Sequence, residues 1–183
     1  MNKMSVPTRA RLMTESEYRI VSRVFGNTLP YRARMVVTNA AGANGRAFTI
    51  PTSLLATLAG VNPVTFLASA GLGYLASCIN IAYLINVGDA YDTLGSSQAT
   101  LLVHETAHVW QGKNSAFALS YVFRSVFSQC VHSDAYGYVP GAPWASYNVE
   151  QQASIVEDWF GVGEPVSGPL YPYIAQHVRR GDA

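Results

Sequence analysis

The sequence predicts an α+β fold: a small mixed or antiparallel sheet in the N-terminal half, then a helix carrying a candidate active site and a helical C-terminal part. Three observations predict it. Strand-like apolar runs fall before residue 90, at 32–38, 46–50 and 81–87. Longer helix-like runs fall mostly after residue 97. The 183 residues are 49% hydrophobic and 13% charged, enough for one real core and few for two, so a single domain over 1–183 is expected.

Taken in order, Thr14-x-x-Glu17 is a capping box that predicts a helix over Glu15–Phe25, with Gly26 as its stop. Residues 32–38 read as a strand with Ala33, Met35 and Val37 on one face. The turn-rich run 40–45 then offers 46–50 as its antiparallel partner. Residues 81–87 read as a further strand, and a polar loop over 89–97 leads into a helix over 98–111 that Gly112 should end. A second, aromatic-rich helix is expected over 115–131. After a loop with Gly137, Pro140, Gly141 and Pro143, Asn148 and Gln151 form a cap for a helix from Val149 to Phe160, closed by Gly161. Pro172 can open a last short helix reaching Arg180.

Composition excludes several functional classes. The net charge of +1 supplies no general basic field for nucleic acid, and no nucleic-acid partner is expected. Cys78 and Cys130 are too few for a disulfide framework; they read as free thiols, with a single bridge as the alternative. The N-terminus has no apolar core of a secretory signal, so synthesis in the cytoplasm without a signal peptide is expected. No charged residue lies between Arg46 and Asp89. This apolar insert, about 52–80, is broken by Asn62-Pro63 and Gly71-Leu72-Gly73; buried core is expected, with membrane contact as the alternative.

The chemistry concentrates in Val103-His-Glu-Thr-Ala-His-Val-Trp-Gln-Gly112. On a helix, His104 and His108 lie one turn apart on one face and can point two imidazoles at one ion. Glu105 is rotated by about 100° and is suited to act on a water as general base rather than as a ligand. This is the HExxH pattern of zinc hydrolysis, and Zn2+ is the expected cofactor. Gln111 and Asn114 stand where a metzincin would place a glycine and a third histidine, which excludes that class. The third ligand is then expected from a later helix, and Glu150 at the start of its helix fits best; His132, Asp134, Glu157, Asp158 and His177 are its rivals. Tyr136, Tyr138, Tyr147, His132 and His177 are candidate donors to a developing oxyanion, while Trp110 and Trp159 read as core anchors.

HETAHVWQ, the later AYGY and YNVEQQASIVEDWF, and the earlier VFGNTLPY and YLINVGDAYD together resemble the zincin metallopeptidase toxin domains of type VI secretion, which are fused to VgrG spike proteins or encoded near them. The resemblance spans residues 14–160. It implies a zincin-like, gluzincin-type fold and a zinc peptidase with His104, His108 and Glu150 as ligands and Glu105 as base. It also implies a protein or peptide substrate, delivery by a spike or adaptor protein to a rival cell's periplasm, and a cognate immunity protein. One departure is visible. Glutamate-ligand zincins often place an acidic residue four after the ligand glutamate to support a histidine; here that position is Ser154, leaving Glu157 or Asp158 for the role. The alternatives to a peptidase are a zinc amidase acting on cell-wall peptides and a membrane- or partner-binding module with a structural zinc.

Overall fold

A computed structural model describes residues 7–42, 45–53, 81–115 and 136–183. The expected helix over 115–131, most of the apolar insert, both cysteines, His132 and Asp134 lie outside the described residues. The described part is mixed α+β, with one four-stranded sheet and four α-helices. The chain forms two compact units, Met1–Tyr18 with Pro30–Ala99, and Arg19–Leu29 with Thr100–Ala183.

The first unit carries the sheet. Its strands are β1 (Ala10–Leu12), β2 (Met35–Thr38), β3 (Phe48–Pro51) and β4 (Tyr83–Asn86), in spatial order β1-β2-β4-β3. β2 pairs antiparallel with β1 and parallel with β4, while β3 pairs antiparallel with β4. The expected hairpin between 32–38 and 46–50 is thus corrected, because β4 lies between the two. All four residues of β2 and all four of β4 are buried, as strands covered on both faces must be, so near-continuous apolar runs pair at the centre. Pro51 has no N–H to donate and sits on the outer strand β3, where none is required.

The strand expected from Arg32 begins only at Met35. Arg32–Arg34 form a 3-10 turn, and Arg32 donates to the Met13 carbonyl at 2.8 Å. A centre-strand position would have buried these guanidinium groups. β1 was not expected from its three-residue sequence.

Helix α1 spans Glu15–Phe25, as its capping box predicts. The Glu17 amide donates to Thr14 Oγ1 at 3.2 Å, and the Thr14 amide to Glu17 Oε2 at 2.8 Å. Gly26, at φ +60°, takes the left-handed conformation that ends the helix.

The second unit carries α2 (Ala99–Asn114), α3 (Val149–Gly161) and the short α4 (Tyr171–Gln176), which a 3-10 turn extends over Val178–Arg180. Gly112 does not end α2. The last turn continues because Lys113 Nζ donates to the Leu29 carbonyl at 2.8 Å, and Asn114 Nδ2 donates to Thr28 O at 3.1 Å and Trp110 O at 2.8 Å. These bonds outweigh the helix cost of one glycine, about 1 kcal/mol. Trp110 and Trp159 are both core anchors, each 1% exposed. Every residue from Leu102 to Gly112 is buried, so α2 has no solvent-facing side over this stretch. No helix among the described residues is long and apolar enough to cross a membrane.

Candidate metal centre

Two helices build the site. On α2 the i, i+4 spacing stacks His104 and His108, with ring centres 5.0 Å apart and planes at 85°. On α3 Asn148 fixes the first turn: its side chain accepts from the amides of Glu150 and Gln151, and the Gln151 side chain accepts from the Asn148 amide at 3.0 Å. Gln151 also donates to the Gly137 carbonyl at 2.6 Å. The turn that presents Glu150 is therefore held at both ends.

Glu150 is fully buried. Its Oε2 stands 3.4 Å from His104 Nε2 and 3.3 Å from His108 Nε2. One ligand atom from each of the three residues lies within 4.8 Å of the others. A tetrahedron with bonds of about 2.0–2.2 Å has edges of about 3.3–3.6 Å, so both histidine–glutamate edges fit a single tetrahedral ion. The chemistry of the donors agrees. Each Nδ1 faces an acceptor, Glu157 Oε2 for His104 and Gln111 Oε1 for His108, both at 2.9 Å. A neutral ring that donates from Nδ1 has its Nε2 lone pair available for a cation. Three of the expected site residues are thus brought together as a group able to hold a metal ion.

Glu105 is 3% exposed and lies outside the group of three that could hold an ion. Burial alone would lower the pKa of His104. Glu150 and Glu157, with Glu105, outweigh it and raise His104 to about 10. The balance at His108 is also upward, with burial opposed chiefly by Glu150. The pocket is built to favour positive charge at the two rings.

Glu157 takes the supporting role that Ser154 leaves vacant, while Asp158 accepts from Tyr138 Oη at 2.7 Å. Burial and this bond hold the Tyr138 hydroxyl protonated. Tyr136 stands beside His104, with ring centres 6.0 Å apart and 37% exposure. Tyr147 donates to the Val139 carbonyl at 2.6 Å, and His177 stacks on Trp144 with Nδ1 facing Asp182. A cavity of about 470 Å³ opens beside Glu157 and Tyr138. Sequence reasoning used Gln111 only to exclude a class and gave Gln152 no role. The available signal was the i, i+3 spacing of Gln111 from His108, which puts both on one helix face.

No family model, curated protein or solved structure matches this chain.

Proposed function

We propose that this protein is a zinc-dependent metallopeptidase of the HExxH, glutamate-ligand type, an antibacterial type VI secretion effector acting in the target cell's periplasm. The observation that carries the reading is the convergence of His104, His108 and Glu150 at tetrahedral-edge distances, with the buried Glu105 next in sequence to the first ligand. Two imidazoles and one carboxylate form a donor set that zinc uses in hydrolases. The toxin, delivery and immunity parts of the reading rest on the sequence resemblance.

In this reading His104, His108 and Glu150 hold the ion. When bound, zinc supplies a water of lowered pKa and an electrophilic partner for the substrate carbonyl. Glu105 takes the proton from the attacking water and delivers it to the leaving amine. Tyr136, exposed and 6.0 Å from His104 between ring centres, is the candidate donor to the substrate's developing negative charge. The cavity beside Glu157 offers room for a substrate side chain.

The test pairs metal analysis with Glu105→Ala. The variant is expected to keep about one zinc per chain while peptide cleavage falls at least about 100-fold and toxicity on export to the periplasm is lost. Full cleavage and toxicity in that variant overturn the reading.

A further inference from the structure

Gln111 and Gln152 are both polar and both nearly absent from solvent, at 2% and 8% exposure. Neither is a metal ligand, yet together they connect the ligand helix α2 to the backbone beside Glu150. We propose that Gln111 is a positioning residue: it holds His108 as the Nδ1–H tautomer and fixes α3 against α2, so that His108 Nε2 and Glu150 meet at one point. This inference rests on the metal-binding reading above.

The orientation of each amide follows from the far end of the network. The Trp144 carbonyl can only accept, so the Gln152 atom 3.3 Å from it is Nε2. Gln152 therefore turns Oε1 toward Gln111, whose Nε2 donates to it at 2.9 Å. The same Gln111 Nε2 donates to the Val149 carbonyl, also at 2.9 Å. Turning the Gln111 amide over would set oxygen against oxygen twice, in a place where water is excluded. Gln111 Oε1 is thus left facing His108 Nδ1 at 2.9 Å, and an amide oxygen only accepts. A proton is therefore held on Nδ1, and Nε2 is the ring nitrogen left for a metal ion.

His108 Nε2 stands 3.3 Å from Glu150 Oε2. A proton or a metal ion can sit between this nitrogen and the carboxylate, and with Nδ1 already protonated a metal ion binds at Nε2. The relay consequently prepares His108 for a metal by neutral hydrogen bonds alone. His104 is held differently, by the charged and partly exposed Glu157. The Val149 carbonyl immediately precedes Glu150, so the same amide that orients one ligand also anchors the backbone of another.

The experiment uses the full chain, with zinc affinity measured by competition with a chromophoric chelator and the imidazole protons followed by NMR in the zinc-loaded form. In the wild type, His108 is expected to bind zinc through Nε2, and His108 and His104 are each expected to show a slowly exchanging Nδ1 proton. Gln111→Met keeps the side-chain volume but can neither donate nor accept at these positions. It is expected to bind zinc 10- to 100-fold more weakly and to lose the slow His108 proton while the His104 proton persists. Gln152→Met leaves the Val149 carbonyl to orient Gln111, so the His108 tautomer should survive and affinity should fall less than about 3-fold. A role confined to packing would not separate the two histidines. Wild-type His108 bound through Nδ1 overturns the inference without any variant. So does a Gln111→Met chain with wild-type affinity and an intact His108 proton, while the metal reading stands. A wild-type chain that takes up no zinc overturns the metal reading and the inference with it.

Discussion

In the unit that carries the sheet, the buried polar side chains Glu17, Thr38 and Asn86 each serve the chain around them. Glu17 closes the cap of α1 and pairs with Arg11. Thr38 donates to Asn86 at 2.6 Å across the parallel β2–β4 pair, and Asn86 donates onward to the Phe48 carbonyl of β3 at 3.2 Å. In the helical unit the buried polar side chains include His104, Glu105, His108, Gln111, Glu150 and Gln152. Five of these six sit in a single network around the three ligand atoms, and Glu105 adds its charge to the same two histidines. Burying polar groups is costly in both units. In one unit the return is strand register and a helix cap. In the other, a carboxylate and two imidazole nitrogens converge on one point, an arrangement able to hold a metal ion.

The largest expected effect tests that convergence directly. Glu150→Ala should weaken zinc binding by more than about 100-fold, because removing even a supporting partner of a ligand costs up to about that much. Chelator competition against the wild type measures it. Unchanged affinity would mean that the third ligand is elsewhere and that Glu150 is buried for another reason.

The next effect belongs to the other unit and should be blind to metal. Asn86→Ala removes a bridge between β2 and β3 and leaves the Thr38 hydroxyl and Phe48 carbonyl without it. It should cost about 1–3 kcal/mol of stability in urea unfolding. Zinc affinity of the folded chain should stay within about 2-fold, since none of these bonds reaches a ligand. A parallel loss of zinc affinity would erase the distinction between structural and functional polar burial in this molecule.

What could be read in the sequence was local. The capping boxes at Thr14 and Asn148 involve contacts three residues apart, and both helices begin where those contacts place them. The histidine pair needs only one helical turn. Glu150 was accessible because few acidic residues head a helix after α2. The sheet order was not accessible, since nothing in residues 32–38 or 46–50 states that Tyr83–Asn86 will lie between them. Gly112 misled for a related reason: two of the three bonds that carry α2 past it go to residues more than eighty positions away. The glutamine relay draws on α2, α3 and the loop at Trp144, and its meaning depends on which amide atom faces which carbonyl.

The smallest effect sharpens the comparison through pH. Glu17 is 2% exposed, and burial alone would raise its pKa. Two bonds from Arg11 at 2.7 Å and the Thr14 amide outweigh burial and hold it below its ordinary value of 4.5. A carboxylate whose folded pKa lies below its unfolded one contributes stability that is complete above the unfolded value and disappears as pH falls through the folded value. The wild type should therefore exceed Glu17→Gln in stability at neutral pH, and the gap should close below pH 4.5. Arg11 is 27% exposed, so solvent screens the pair and the gap is on the order of 1 kcal/mol. Urea unfolding of both chains at a series of pH values reads it. A gap that stays constant into the acid range would show that the Glu17 charge contributes nothing, and that its shape and cap bond alone hold the start of α1.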